Sequence, residues 1–352
     1  MSSYQIPSQD LLIQILGKDA TAESYLRGGF VVACGIKESL AAIGRNFSEF
    51  RSILDFGCGS GRVLRWFEGR KDASLRGVDI SEEAIDWCKE NLVFAEFVKC
   101  NPMPPLPYKD EQFDLIYGIS VLTHLDETFQ FAWLEELNRI LRPGGILMST
   151  IHGDNKARMD LSPSEKAIYQ DLGFLYKRVS MNGGVDNGPD FYQVAYHSKK
   201  YVEQVWSRYF KILGYIGHGA MHVQDLIVME KTNEVGQPPS DILVVDLPIA
   251  MLEQPLMGST VHDSLTVSGW AFHPDGDKVI LNIAIDGVRC GSCEPDIPRD
   301  KLAQIFWVYP HAATAGFKTV ISAAQLSKGK HKLELFARSD LIPTKSTYFY
   351  KD

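Results

Sequence analysis

The stretch Ser52-Ile-Leu-Asp-Phe-Gly-Cys-Gly-Ser-Gly-Arg62 decides the fold of the larger part of this chain. An apolar run ends in Asp55, three glycines follow at alternate positions, and an amphipathic pattern begins at Val63. Glycine permits positive φ and lets a ligand approach the main chain closely, and the start of a helix presents unpaired N–H groups. The stretch therefore predicts a strand, a tight turn and a helix, with a small-ligand site at the turn. Its glycines are Gly57, Gly59 and Gly61.

A nicotinamide cofactor is one alternative for this turn. A dinucleotide fingerprint reads Gly-x-Gly-x-x-Gly, with an acidic residue about 20 positions further on. This chain has Gly-x-Gly-x-Gly instead, and Arg62 follows the third glycine. This spacing is evidence against a dinucleotide. The glycines alone do not identify the cofactor, so the motifs further along the chain are needed.

Downstream of the turn, strand-like and helix-like segments alternate. Ser74–Asp79 is an apolar run that ends in an acidic residue, which is well placed to accept hydrogen bonds from ribose hydroxyls. Ser81, Glu82 and Glu83 then form the cap and first turn of a helix. Further strands are predicted at Phe94–Val98, Phe113–Ser120 and Leu141–Thr150, and a helix at about Glu127–Leu141.

In their order and spacing, these motifs resemble those of the class I S-adenosylmethionine-dependent methyltransferases. The matching elements are Asp55-x-Gly-x-Gly-x-Gly61, Asp79, Leu106-Pro-Tyr…Phe113-Asp114 and Leu141-Arg-Pro-Gly-Gly145, and the resemblance covers residues 53–231. It implies an α/β, Rossmann-like fold with a seven-stranded sheet, an antiparallel last strand, and S-adenosylmethionine as the cofactor. Strands six and seven are then expected at Phe210–Gly217 and Gln224–Glu230.

The resemblance also implies which residues contact the cofactor. Asp55 would bond the ammonium group of the methionine part, Asp79 would hold the ribose hydroxyls, and Asn101 would accept a hydrogen bond from the adenine amine. Tyr25 and Gly28 lie in a helix before the turn and would either close over the methionine end or belong to the core. The remaining expected contacts are Gly57, Cys58, Gly59, Gly61, Ile80, Ile119 and Ser120.

Two histidines are candidates for a catalytic base. A hydroxyl acceptor must lose a proton during methyl transfer, whereas a carboxylate acceptor needs no base. His152 follows strand five directly, and His124 lies shortly after strand four, so both belong to loops at the carboxyl edge of the sheet. Each has the alternative of bonding a neighbouring backbone group and shaping its loop, and His152 is the stronger catalytic candidate.

A long insertion, residues 153–197, follows strand five. Long ordered insertions in a compact domain are usually functional, and this one begins at the edge where ligands bind in parallel α/β sheets. We therefore expect it to be a substrate lid. The alternative is a solvent-facing elaboration with a small core of its own.

The chain is too long for one ordinary core, which predicts two domains. The polar link Thr232–Ser240 contains Pro-Pro and marks the boundary, giving domains 1–236 and 237–352. Beyond the link, short alternating runs replace the earlier pattern, and Asp286-Gly287 between two of them predicts a hairpin. The second domain is therefore predicted to be an all-β sandwich.

This second domain resembles the Ig-like accessory modules found beside bacterial glycan-synthesis enzymes. The residues that carry the resemblance are Ser268-Gly-Trp270, Ile285-Asp-Gly287, Gly316-Phe317 and Leu326…Gly329-x-His331. The expected activity is methylation of a small molecule or a saccharide, with O-methylation as the reaction, and this module favours a sugar hydroxyl or a glycan intermediate as the acceptor. Docking or homodimer formation is at least an equal role for this domain. The alternative for the whole protein is a non-catalytic S-adenosylmethionine-binding protein with a carbohydrate- or protein-docking module.

Composition excludes some partner classes. The net charge of −8 is spread without a basic block, which disfavours nucleic acid. No apolar stretch of about 18 residues predicts a membrane span, and with six scattered cysteines and no targeting pattern we expect a cytoplasmic protein. The lone Cys290-Gly-Ser-Cys293 lacks the partners of a zinc site, so no metal is predicted.

Overall fold

The protein is described by a computed structural model that covers residues 5–178, 193–220, 224–232, 242–246, 248–337 and 345–352. It forms two compact units, Met1–Val245 and Asp246–Asp352. The predicted domain boundary at residues 236 and 237 lies outside the described residues, and so does the middle of the predicted lid, residues 179–192.

A mixed β-sheet forms the centre of the first unit. Parallel strands that are buried on both faces read as continuous apolar runs, and the strand that precedes the glycine turn is buried at Ile53 and Leu54 for this reason. The strands of this unit are β1 (Ser52–Phe56), β2 (Ser74–Asp79), β3 (Glu96–Lys99), β4 (Phe113–Gly118), β5 (Leu141–Ile151), β6 (Phe174–Lys177), β7 (Val194–His197), β8 (Lys211–Ala220), β9 (Gln224–Glu230) and β10 (Leu243–Asp246).

The sheet has the order β10-β8-β9-β5-β4-β1-β2-β3, and β6 and β7 pair separately. Strands β1 to β5 are parallel, whereas β9 runs antiparallel to both β5 and β8. The Rossmann-like arrangement is as predicted, but the sheet has eight strands instead of seven. The extra strand, β10, follows the Pro-Pro link in sequence, so the strand pattern before the link could not reveal it.

Seven helices flank the described strands of this unit, and most begin at a side-chain cap. Ser81 accepts a hydrogen bond from Ala84 N, and Asp126 accepts one from Phe129 N. The helices are α1 (Gln9–Leu16), α2 (Ala22–Ala42), α3 (Glu82–Asn91), α4 (Glu127–Ile140), α5 (Asp154–Asp160), α6 (Pro163–Leu172) and α7 (Lys199–Val205).

The helix predicted directly after the glycine turn is not an α-helix. Only a 3₁₀ turn, Leu64–Phe67, forms there. The chain turns again at residues 68–73 before it reaches β2 at Ser74. The prediction of an α-helix over these residues was wrong, because the amphipathic spacing does not by itself specify the helix type.

The insertion after β5 has a small core of its own, formed by Ala157, Leu161, Tyr169 and Tyr196. It also joins the main sheet, because Tyr196 of β7 bridges to His152 at the end of β5. The returning strand of the insertion therefore lies against the edge at which β5 ends.

The second unit contains two further sheets, ordered β11-β13-β16 and β12-β18-β17-β14-β15, around a shared core. The predicted Asp-Gly hairpin is confirmed: Ile285 pairs with Val288, and Asp286 and Gly287 both have positive φ, 51° and 81°. The narrower Ig-like sandwich stays a prediction. The elements are β11 (Ile249–Gln254), β12 (Thr260–Val261), β13 (Ser264–Phe272), β14 (Leu281–Ile285), β15 (Val288–Cys293), α8 (Asp300–Ile305), β16 (Gly316–Ser322), β17 (Gly329–Phe336) and β18 (Lys345–Lys351).

Two classes of feature do not occur in the described part of the chain. None of its helices combines the length and the apolar composition that a bilayer span requires. No group of three or more His, Cys, Asp and Glu side chains within those ranges is arranged to hold a metal ion.

Candidate active site

The glycine turn has a backbone that only glycine adopts easily. Gly57, Gly59 and Gly61 have φ values of 76°, 50° and 70°. A Cβ at Gly57 would also stand 2.3 Å from Val121 Cγ2, and one at Gly61 would stand 2.4 Å from Leu92 Cδ1. The main chain at Gly57 and Gly59 is partly exposed, so a ligand can reach its polar groups.

Asp79 connects the turn to the start of α3. Its Oδ2 accepts a hydrogen bond from Gly59 N at 2.7 Å, and its Oδ1 accepts one from Ser81 N at 2.8 Å. Burial raises the pKa of this carboxyl, and the N–H groups of Ser81 and Gly59 oppose the shift. Because a carboxylate offers about four lone-pair positions, Asp79 can still accept from ribose hydroxyls.

Asp55 lies buried at the end of β1, directly before the turn, with 3% of its surface exposed. Burial raises the pKa of its carboxyl to about 7, opposed by the Tyr117 hydroxyl and the Arg62 guanidinium and reinforced by the charge of Asp79. A cationic ligand beside this carboxyl would favour its ionised form. The buried Asp55 carboxyl beside the partly exposed glycine backbone therefore suits a ligand that carries positive charge, and the partly buried Asp79 carboxyl suits hydroxyl donors.

Tyr25 and Gly28 lie on α2, behind the turn. Tyr25 is fully buried and donates a hydrogen bond from its hydroxyl to Ser60 O at 2.8 Å, and the Arg65 guanidinium lies 4.9 Å from its ring centroid. A Cβ at Gly28 would stand 3.0 Å from Arg62 Nη1, so α2 packs closely on the segment after the turn. This placement favours a supporting role for both residues over the predicted direct contact with the cofactor.

Most of the other predicted contacts follow β2, β3 and β4. Ile80 is half-buried after β2, and the exposed Asn101 follows Cys100, whose N–H donates to Asp79 O at 2.9 Å. Ile119 is buried after β4, and Ser120 has an unusual positive φ of 59°. Cys58 is buried, with its Sγ 3.5 Å from Gly59 O.

His124 and His152 come together at the carboxyl ends of β4 and β5. Their ring centroids are 6.1 Å apart in an edge-to-face arrangement. His124 Nδ1 lies 2.7 Å from Gln193 O, and His152 Nδ1 lies 3.2 Å from Ala195 O. A carbonyl oxygen can only accept a hydrogen bond, so Nδ1 carries the proton in each ring and Nε2 is the basic nitrogen.

Burial keeps both imidazoles neutral. It lowers the pKa of His124, which the hydrogen bond to Gln193 opposes. Burial, together with the charges of His124 and Lys156, lowers the pKa of His152 to about 4. Near neutral pH both rings are therefore uncharged and able to accept a proton.

A chain of polar side chains that no sequence motif predicted ends at this pair. Ser120 N donates to Thr150 Oγ1 at 2.7 Å, Ser120 Oγ donates to Gln224 Oε1 at 2.9 Å, and Gln224 Nε2 lies 3.4 Å from His152 Nε2. Gln224 is 72 residues from His152 in sequence. The sequence offered one signal for Gln224, because it begins the predicted antiparallel last strand, β9. An antiparallel strand begins at the edge where the parallel strands β4 and β5 end.

The glycine turn, which is the predicted cofactor turn, and the pair of His124 and His152 lie next to each other. Val121, the residue after Ser120, packs against Gly57, and His124 N donates to Val121 O at 3.0 Å. The site therefore joins a backbone cradle with two acidic groups to a pair of neutral imidazoles.

Known proteins share the central part of this architecture. Residues 54–149 match the family model described as a methyltransferase domain. Over these residues the chain is similar to a methyltransferase domain. The match agrees with the enzyme class that the motifs predict and with S-adenosylmethionine as the cofactor, whose ammonium group suits the buried Asp55 carboxyl beside the turn.

Curated relatives of the methyltransferase domain match only a part of the chain. The methyltransferase GfsG of Streptomyces halstedii is 30% identical over 106 residues, which are 28% of this chain and 37% of the relative. Ajmaline N-methyltransferase of Rauvolfia serpentina is 26% identical over 132 residues, 35% of this chain and 44% of the relative. The chain thus spans less than half the length of these relatives.

Among solved structures, an S-adenosylmethionine-dependent methyltransferase of Methanosarcina mazei is similar at 22% identity, with a TM-score of 0.40. The similarity covers 52% of this chain and 93% of that one.

Proposed function

We propose that this protein transfers a methyl group from S-adenosylmethionine to a hydroxyl oxygen of a small molecule, with saccharides as the narrower acceptor class. The observation that carries the proposal is the pair of neutral imidazoles, His124 and His152, beside the cofactor turn. A relative named as an ajmaline N-methyltransferase supports a small molecule more than a polymer. The all-β second unit motivates the saccharide.

Both backbone groups and carboxylates would contact the cofactor. Asp79 would accept from the ribose hydroxyls, Asp55 would face the ammonium group, and Ile80 and Asn101 would flank the adenine. The exposed main chain of the glycine turn would line the methionine part. This division follows from Asp79 lying between the turn and α3 and from the burial of Asp55 next to it.

The chemistry at the acceptor needs positioning and a proton acceptor. S-adenosylmethionine supplies a methyl group on a positively charged sulfur. A lone pair of the acceptor oxygen forms the bond to the methyl carbon as the carbon–sulfur bond breaks, and the electrons of that bond stay on sulfur. An imidazole Nε2 takes the hydroxyl proton, a step that typically contributes 10²–10⁴-fold, while the fixed strand ends hold the reacting atoms in line.

The insertion would act as the substrate lid because its returning strand holds both histidines. Gln193 O and Ala195 O accept from the two Nδ1 atoms, and Gln193 N donates to His124 O at 3.0 Å. Movement of this strand would therefore change the orientation of both rings at once. The second unit would bind the saccharide or join two copies of the chain.

A transfer assay tests the proposal. The protein is incubated with methyl-labelled S-adenosylmethionine and a panel of saccharides and other hydroxyl compounds, and labelled product and S-adenosylhomocysteine are both quantified. We expect the two products in equal amounts for at least one acceptor. Tight cofactor binding without transfer to any panel member would contradict the proposal and favour the non-catalytic alternative.

A further inference from the structure

Gln224 stands between the end of β4 and the ring of His152. It is the first residue of β9, is 6% exposed, and contacts a different partner with each end of its amide. Ser120 Oγ lies 2.9 Å from Oε1, and His152 Nε2 lies 3.4 Å from Nε2. Moving a buried amide whose oxygen and nitrogen both have hydrogen-bond partners costs free energy. The hydrogen bonds of Gln224 should therefore define the local geometry.

The orientation of this amide follows from the groups around it. Ala195 O requires a proton on His152 Nδ1, and a second proton on the buried ring is disfavoured because burial lowers its pKa to about 4. His152 Nε2 is then an acceptor, so Gln224 must present its NH₂ group to it. The carbonyl end of Gln224 in turn faces Ser120 and accepts from its hydroxyl.

The structure assigns Gln224 the role of a positioning residue that holds His152 in its Nδ1–H tautomer, and it thereby leaves His124 as the base of the methyl transfer proposed above. An amide N–H already donates to the Nε2 lone pair of His152, and an amide does not pass protons on. A base with a pKa of about 4 is also poorly matched to a reaction near neutral pH. The assignment of the base rests on the proposed function, whereas the tautomer does not.

A second glutamine–histidine pair in the same unit provides an internal reference. His197 is fully buried, and its Nε2 lies 2.9 Å from Gln130 Oε1. Gln130 uses its NH₂ group to donate to Leu122 O and Leu125 O, so it presents its carbonyl to the ring. His197 must then carry its proton on Nε2, the opposite tautomer to that of His152.

Nuclear magnetic resonance of the full chain with isotope-labelled histidine tests the tautomers directly. Between about pH 6 and 8, we expect His152 as Nδ1–H and His197 as Nε2–H, both without titration. In Gln224→Glu a carboxylate, which only accepts, replaces the donor, so His152 should gain a proton on Nε2 while His197 stays unchanged. If Gln224→Glu does not fold, Gln224→Leu should shift only the Nε2 resonance of His152. A wild-type His152 protonated on Nε2, or an unchanged His152 in both variants, would overturn the assignment.

Kinetics separate this inference from the proposed function. With an acceptor from the panel, Gln224→Leu should lower kcat about tenfold through misplacement, leave KM for S-adenosylmethionine unchanged, and leave the acid limb of the kcat–pH profile in place. A displaced acid limb would make His152 the base and would overturn the assignment to His124. Failure of every acceptor would count against the proposed function, and the tautomers would still decide the role of Gln224.

Discussion

The cofactor turn, residues 57–61, and the histidine edge, formed by His124 and His152, both lie at the carboxyl ends of parallel strands. The first is formed by backbone groups and the second by side chains. The turn consists of backbone: Gly57, Gly59 and Gly61 adopt positive φ, and Asp79 holds the main chain of the turn. The histidine edge consists of side chains, whose Nδ1 atoms are held by carbonyls from a strand far along the sequence. Substitutions in the turn should therefore act on folding and cofactor affinity, and substitutions at the edge should act on turnover.

The largest effect is expected at the histidine edge. His124→Ala should lower turnover by about 10²–10⁴ without changing affinity for S-adenosylmethionine, because it removes the base and no part of the turn. The neutral ring is the active form, so the wild-type rate should fall only as pH drops through a pKa below the usual imidazole value of about 6.5.

The control for His124→Ala is His262→Ala in the second unit, whose side chain is 80% exposed. That variant should turn over at the wild-type rate. If His124→Ala lost as much affinity for S-adenosylmethionine as it lost turnover, the cofactor turn and the histidine edge would not have separate roles.

In the turn, Gly57→Ala should act through stability. Positive φ costs an alanine about 1–2 kcal/mol, and the contact of its Cβ with Val121 adds about 1–3 kcal/mol of overpacking. The matched control is Gly44→Ala, which has a φ of 77° but no atom within 4 Å of the added Cβ, so it should lose only the backbone part. Chemical unfolding of both variants measures the difference, and equal losses would show that Val121 does not constrain the turn.

The direction in which cofactor affinity changes with pH also tests the role of the turn. Asp55 has a pKa raised to about 7, and a cationic cofactor binds its ionised form more strongly. Affinity should therefore be constant above that pKa and fall as pH decreases below it, by at most about tenfold per pH unit. Calorimetric titration across this range should show proton release in the wild type and a flatter profile in Asp55→Asn. A profile that is identical in both proteins would remove Asp55 from the cofactor site.

The same contrast explains what the sequence could predict. The turn, Asp79 and the ends of β1 and β2 depend on residues close together in sequence, so spacing and glycine chemistry were sufficient. Gln224 and Ala195 reach the site only through the pairing of β9 and β7, and a single sequence does not report which distant strands pair or in which register.

Two further features illustrate this limit. The segment after Gly61 has a helical pattern, but only a 3₁₀ turn forms there. β10 joins the sheet from beyond a Pro-Pro link that looks like a domain boundary. In both places the local sequence pattern does not report the structure that the chain adopts.

A calorimetric titration tests whether the turn binds S-adenosylmethionine through Asp79. We expect the wild type to bind S-adenosylmethionine and not NAD. We expect Asp79→Ala to bind S-adenosylmethionine at least about tenfold more weakly, because each lost charge-assisted hydrogen bond is worth about 1.5–3 kcal/mol. Circular dichroism of both proteins confirms that they are folded. Binding of NAD in place of S-adenosylmethionine, or unchanged affinity in a folded Asp79→Ala, would contradict the account.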